Sequence, residues 1–150
     1  MTDAGCVLGI DVGSVRVGVA STDPTQTIAQ PLETLHRGSR RGALWPRLAA
    51  VIKERDVQRI VIGLPRRLDG SEGTAAADAR SFALELEKHT DVPVEFYDER
   101  FTTAQAERSL IERGKRRAER RATVDAVAAA LLLQGWLDAR RVAATATRAE

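Results

Sequence analysis

The sequence predicts an α/β domain with a mixed central sheet, opened by an antiparallel hairpin and completed by parallel strands, with helices on both faces. Three observations carry this. Two strand-like runs adjoin at the N-terminus with only a tight turn between them. Beyond them, strand and helix patterns alternate. An apolar, Ala- and Leu-rich helix then closes the chain.

Cys6 to Val12 is a short run of strand formers, and Val15 to Ser21 alternates Val15, Val17 and Val19 against Arg16, Gly18 and Ala20, the period of a strand. Gly13-Ser14 between them reads as a hairpin turn. Pro31 to His36 is a third, shorter strand, and Gly38 to Gly42 a basic loop. Ala43 to Arg55 has helical spacing through Leu44, Leu48, Val51 and Ile52, with Pro46 tolerable in the first turn. Gln58 to Gly63 reads as a buried strand, Arg66 to Gly73 as a loop, Thr74 to His89 as a helix and Val92 to Tyr97 as a strand. Thr102 to Arg113 is predicted helical, with Thr102 and Gln105 spaced as a capping box. Gly114 to Arg121 reads as a basic loop, and Ala122 to Asp138 as the long closing helix. Residues 1–139 form the expected domain, and residues 140–150 a flexible, frayed tail.

With 150 residues, one domain is expected, long enough to bury about 70% of its unfolded surface. No apolar run approaches the roughly 20 residues of a membrane span. The N-terminus lacks a basic n-region, so its apolar run reads as a strand rather than a signal peptide. The lone Cys6 excludes an internal disulfide and a multi-cysteine zinc site, and points to a reducing cytoplasm. Net charge is only +2, but of 23 basic residues three are Lys and the rest Arg. Arg suits bidentate phosphate contacts, although base composition of the genome explains the bias equally well. Aromatic residues, at 4%, are too few to supply a stacking platform for single-stranded bases.

Three acidic positions stand out. Asp11 sits inside the apolar run Val7-Leu8-Gly9-Ile10-Asp11-Val12, where period two puts it on a face with Val7 and Gly9. Asp98-Glu99 ends a strand, where α/β sheets place their sites. Asp125 lies in the first turn of a helix that is apolar almost all round. Each has a plain alternative taken singly: Asp11 closing a turn, Asp98-Glu99 as turn chemistry before Thr102, and Asp125 complementing the helix dipole. Taken together they suggest more. Two like charges about 4 Å apart repel by roughly 1 kcal/mol in water and about 4 at an effective dielectric of 20. Converging carboxylates therefore have raised pKa values unless a divalent cation neutralises them. Oxygen-only ligands favour Mg²⁺ or Mn²⁺ over zinc, and carboxylates holding such ions are apparatus for phosphodiester hydrolysis.

Gly9-Ile10-Asp11-Val12-Gly13-Ser14-Val15-Arg16-Val17-Gly18-Val19-Ala20 resembles the opening motif of the YqgF, or RuvX-like, family of ribonuclease H-like nucleases related to RuvC Holliday junction resolvases. Val61-Ile62-Gly63-Leu64-Pro65 with Asp69-Gly70-Ser71-Glu72-Gly73 matches its second motif. Asp98-Glu99-Arg100-Phe101-Thr102-Thr103 matches the third, and Val124-Asp125-Ala126-Val127-Ala128-Ala129 the fourth. The four occur in order over about residues 6 to 139. The resemblance implies a ribonuclease H-like fold, catalytic metal ligands at Asp11, Glu99 and Asp125, with Asp98 in reserve, and Mg²⁺ or Mn²⁺ as cofactor. It also implies processing of the precursor of 16S ribosomal RNA, with resolvase or general nuclease activity as the alternative. Two departures are visible. Arg66-Arg67-Leu68 stands where the family often carries an Asn. Ala128 stands one helical turn beyond Asp125, where RuvC-type resolvases have a further acid, so the likeness is greater to the YqgF branch.

Basic segments suit a nucleic-acid partner bound through its backbone. Arg108 to Arg121 carries seven basic residues against Glu112 and Glu119, a local charge of +5. Lys115, Arg116, Arg117, Arg120 and Arg121 belong to it, and Arg66-Arg67 and Arg37, Arg40 and Arg41 form two more clusters. Arg16 and Arg100, inside motifs, are candidates to hold the scissile phosphate or orient the acids. A solvated connection would account for the same charge run. A non-catalytic RNA-binding assembly factor and an actin-like ATPase or kinase are the competing classes. The latter share the Asp-x-Gly opening but generally need two such domains. No membrane partner is expected, and no interface signature selects monomer or homodimer.

Overall fold

The computed structural model describes residues 5–38, 43–99 and 118–149, with side chains of the last segment described from 125 to 144. The elements are β1 (Cys6–Val12), β2 (Arg16–Thr22), β3 (Ala29–His36), α1 (Leu44–Glu54), β4 (Val57–Leu64), α2 (Thr74–Leu86), β5 (Val94–Asp98) and α3 (Ala118–Ala149). Five strands form one sheet in the order β3-β2-β1-β4-β5. β1 pairs antiparallel with β2 and β2 with β3, whereas β1–β4 and β4–β5 are parallel. The expected mixed sheet, antiparallel at its start and parallel afterwards, is therefore present.

Side-chain alternation assigns each strand a face. Leu8 and Ile10 of β1, Val17 and Val19 of β2, and Ile60, Ile62 and Leu64 of β4 pack with Leu48 and Val51 of α1 and Phe82 and Leu86 of α2. Val7, Ala20 and Val61 pack on the other face with Ala129, Leu133, Trp136 and Leu137 of α3. The helices cover both faces because each carries an apolar stripe at helical spacing. In α1 that stripe is Leu44, Leu48, Val51 and Ile52, the set read from the sequence.

The edge strand β3 is irregular. A bulge opens between Val19 and Ala20, which face Glu33 and Pro31. Pro31 has no N–H to offer a further strand, and a bulged edge resists pairing with another chain.

α3 differs from expectation at both ends. It begins at Ala118, so Arg120 and Arg121 lie on its first turn rather than in a loop. It also runs to Ala149, so residues 140–149 continue the helix instead of fraying from Arg140. Ala and Arg, which dominate that stretch, are strong helix formers, and neither Gly nor Pro interrupts it. The helix expected over Thr102 to Arg113 lies outside the described residues. No described helix is long and apolar enough to cross a membrane.

Polar contacts fix α3 against sliding. The Gln134 side chain accepts a hydrogen bond from the Ala29 N–H at 2.9 Å. The Trp136 indole donates to Glu95 at 3.0 Å, and Glu95 in turn pairs with Arg59 at 2.6 Å. These ties fix the middle of α3 on the sheet.

Candidate active site

Asp11 is on the central strand and only 5% exposed. It shares the α3 face with Val7 and Gly9, as period two requires. Its partner across the hairpin is Gly18 of β2. On the other side Ile10 pairs with Ile62, which sets Gly63 of β4 in line with Asp11.

These glycines determine what can approach Asp11. A Cβ added to Gly18 would collide with the main-chain oxygen of Asp125, so α3 rests directly on β2 beside Asp11, about two turns past its start at Ala118 and not in its first turn as expected. A Cβ on Gly63 would fall 2.5 Å from Glu99 Oε1 and 2.9 Å from Leu132. The Glu99 carboxylate therefore lies over β4, in the space a side chain at 63 would occupy. At Gly9 a Cβ would come within 2.8 Å of Leu133. Three adjacent strands thus give up side-chain volume on one face, and carboxylate-bearing residues reach that face on both sides of Asp11.

Glu99 follows β5 directly and is 7% exposed. Its carboxyl is pushed up to about 6, first by burial and then by the neighbouring Asp98 charge. A carboxylate is rarely buried without a compensating positive charge. Asp98 points differently. It is level with Leu64, whose side chain belongs to the α1–α2 face, and it pairs with Arg66 at 3.6 Å. Between the two neighbouring acids, the one lying on the α3 face is Glu99.

Asp125 has a cationic partner: Arg16 Nε donates to its Oδ2 at 2.8 Å. Both side chains are partly buried, 21% and 15% exposed respectively. Among the described residues no group of three or more His, Cys, Asp or Glu side chains is close enough to share a metal ion. The fold therefore brings Asp11, Glu99 and the Asp125 backbone onto one face, while the Asp125 carboxylate is held by Arg16. The donors fit a hard cation in kind: they are oxygens, two are buried, and the glycine cradle leaves room for them at the sheet surface.

The basic residues separate into groups. Arg66 pairs with Glu72 at 3.4 Å as well as with Asp98, and Arg67 donates to Ser71 Oγ at 3.2 Å and lies against Gly73. Arg67 is engaged within its own loop, whereas Arg66 also bridges to the end of β5. Arg37, which the sequence grouped with Arg40 and Arg41, is a clamp. It donates to the Gly13 carbonyl at 2.7 Å, pairs with Asp78 of α2 and lies over the Phe82 ring. It thereby fixes the β1–β2 turn just beyond Asp11. Arg40, Arg41, Arg100, Lys115, Arg116 and Arg117 lie outside the described residues, as do the side chains of Arg120 and Arg121. Sequence reasoning missed the positioning parts, Gly18, Gly63 and Arg37. The glycines were visible only as members of motifs, and strand register was needed to place them around Asp11.

A family model described as "RuvX: Holliday junction resolvase" matches residues 5–139. A protein of Mycobacteroides abscessus named "Putative pre-16S rRNA nuclease" is 45% identical over 135 residues, covering 89% of this chain and 81% of the relative. One of the same name from Anaeromyxobacter is 47% identical over 133 residues, covering 89% of this chain and 96% of the relative. Among solved structures, Thermus thermophilus RuvC in complex with a Holliday junction substrate superposes with a TM-score of 0.55 at 20% identity, covering 91% of this chain and 96% of that one. That likeness establishes the ribonuclease H-like fold, and the match over residues 5–139 places the chain in the RuvX family.

Proposed function

We propose that the chain is a divalent-metal-dependent nuclease that hydrolyses phosphodiester bonds in the precursor of 16S ribosomal RNA. The supporting observation is the pair of buried carboxylates, Asp11 on β1 and Glu99 just past β5, both on the α3 face of the sheet. Burying two acids on one face of the sheet is costly in a protein that has no use for them. The relatives named as nucleases give the substrate class.

In this reading Asp11, Glu99 and Asp125 hold Mg²⁺ or Mn²⁺, with Asp11 central. A bound divalent ion activates water and stabilises charge on the attacked phosphate and the leaving oxygen. The protein's part is positional. β1 presents Asp11, the Gly63 gap seats Glu99, and the Gly18 contact seats α3 at Asp125. Arg37 keeps the β1–β2 turn rigid through Gly13. The basic segment from Arg108 to Arg121, with Arg100, meets nucleic-acid phosphates without reading sequence. Residues 1–139 are the nuclease domain, acting in the cytoplasm.

The test is cleavage of structured pre-16S RNA, single-stranded DNA and four-way junctions in Mn²⁺, Mg²⁺ and chelator. Asp11→Asn is expected to abolish metal-dependent cleavage while the thermal melt stays cooperative. Equal cleavage by parent and variant rejects the assignment. Salt-sensitive RNA binding with no cleavage in either metal would favour the assembly-factor reading, and preference for the junction the resolvase reading.

A further inference from the structure

We propose that Arg16 is an internal counter-ion that competes with the metal for Asp125, so that this third acid joins Asp11 and Glu99 only when Arg16 lets go. The inference rests on the metal-site reading above, and adds an exchange between two cations. Arg16 opens β2 and shares a face with Gly18 two residues on, the glycine against which the Asp125 main chain lies. Both ends of the ion pair are therefore fixed by the same contact between β2 and α3. The guanidinium Nε sits 2.8 Å from Asp125 Oδ2, a charge-assisted hydrogen bond.

Geometry indicates what this bond does to the acids. Asp125 is brought to the correct face, beside the row of Asp11 and Gly18. Yet among the described residues no three acids stand close enough to share an ion. The Asp125 main chain already lies on that face, and its carboxylate would turn toward Asp11 by a side-chain rotation. That rotation breaks the bond to Arg16. An ion that recruits Asp125 must displace Arg16 first, which lowers its apparent affinity by the fraction of molecules in which the pair is closed. The displaced guanidinium stays beside the acids, with the geometry to take a phosphate oxygen as its next partner. Arg16 is thus a positioning residue, acting through Asp125.

The experiment is Mn²⁺ binding without substrate, followed by calorimetry or electron paramagnetic resonance, in the parent, Arg16→Gln, Asp125→Asn, the double variant and Asp11→Asn. Competition predicts that Arg16→Gln binds Mn²⁺ about fivefold more tightly than the parent. It also predicts that the same change has no effect once Asp125 is Asn. Weaker or unchanged binding by Arg16→Gln overturns the proposal, because an arginine that merely steered Asp125 toward the metal would be missed when lost. Equal tightening in the Asp125→Asn background also overturns it, since that outcome reflects removal of a nearby charge and not exchange at Asp125. Arg16→Met provides the same comparison if the Gln variant does not fold. Asp11→Asn is the separate control: undiminished Mn²⁺ binding there rejects the metal site itself, whatever Arg16 does.

Discussion

The two faces of the sheet are built on opposite rules. Toward α1 and α2 the strands present Leu8, Ile10, Ile60 and Ile62, all with no measurable exposure. Toward α3 the same strands present Val7, Gly9 and Asp11 on β1, Gly18 on β2, and Val61 and Gly63 on β4. The first face fills space with branched side chains and is expected to supply most of the stability. The second gives up volume, so that α3 and Glu99 come down onto the backbone and two carboxylates are buried on it. One strand thus serves both purposes, with stability in one parity of its residues and chemistry in the other.

Neighbouring residues on β4 offer the sharpest way to break that division. Gly63→Ala puts a methyl group where Glu99 Oε1 now lies, 2.5 Å from the added carbon. A displacement of about 1 Å at a catalytic group can cost about a hundredfold in rate, and overpacking costs about 1–3 kcal/mol of stability. Ile62→Ala, one residue earlier and on the other face, should lose about 2–5 kcal/mol while the folded fraction cleaves as the parent does. Chemical denaturation and single-turnover cleavage on both variants test the contrast. If Ile62→Ala loses activity as steeply as Gly63→Ala, the two faces are not separable.

This division was only partly legible in the sequence. The hairpin, the alternation of strands and helices, and the stripe on α1 follow from periodicity, which is local information. The placement of Asp11 with Val7 and Gly9 followed from the same rule. The partners of those residues did not. Arg16 and Asp125 are 109 positions apart, and Arg37 and Asp78 are 41 apart. Which glycine lies beside Asp11 is fixed by strand register, a tertiary quantity. Glu99 was preferred to Asp98 only through the motif resemblance, and the pairing of Asp98 with Leu64 separates their faces. The reach of α3 past Asp138 was missed because an exposed, arginine-rich end reads as a tail, although its residues have high helix propensity.

Acidity sharpens the comparison further, with a smaller expected effect. The Glu99 carboxyl is raised from an ordinary 4.5 to about 6 by burial and by Asp98. The charged form is therefore disfavoured in the folded chain. Below the unfolded value both states are protonated and nothing is lost. Above the folded value the protein carries a penalty of about 2 kcal/mol. Metal-free protein should thus gain stability as pH falls from 7 toward 5, by a few degrees in Tm. Glu99→Gln should flatten that rise. A divalent ion should flatten it too, by favouring the ionised carboxylate. A Tm that is level over this range in the metal-free parent would contradict the raised Glu99 value.

The smallest effect belongs to an acid with the opposite environment. Asp23, in the β2–β3 loop, accepts hydrogen bonds from the Ile28 and Thr27 N–H groups, both at 2.8 Å, and from the Thr25 N–H at 3.2 Å and its hydroxyl. These donors hold its carboxyl well below the usual carboxylate range, the Ile28 N–H contributing most. The sign is reversed relative to Glu99. Asp23 stabilises the loop above its ordinary value of 3.8 and loses that contribution as pH falls further. Because the group is fully exposed, solvent screens it and the loss should be slight. The metal-free protein should therefore pass through a stability maximum between the two windows. Asp23→Asn should soften only the acid side, and Glu99→Gln only the neutral side. If Asp23→Asn instead changed the neutral limb, the two ends of the sheet would be coupled. The buried acids beside α3 could then no longer be treated as electrostatically separate from the loop that turns β2 into β3.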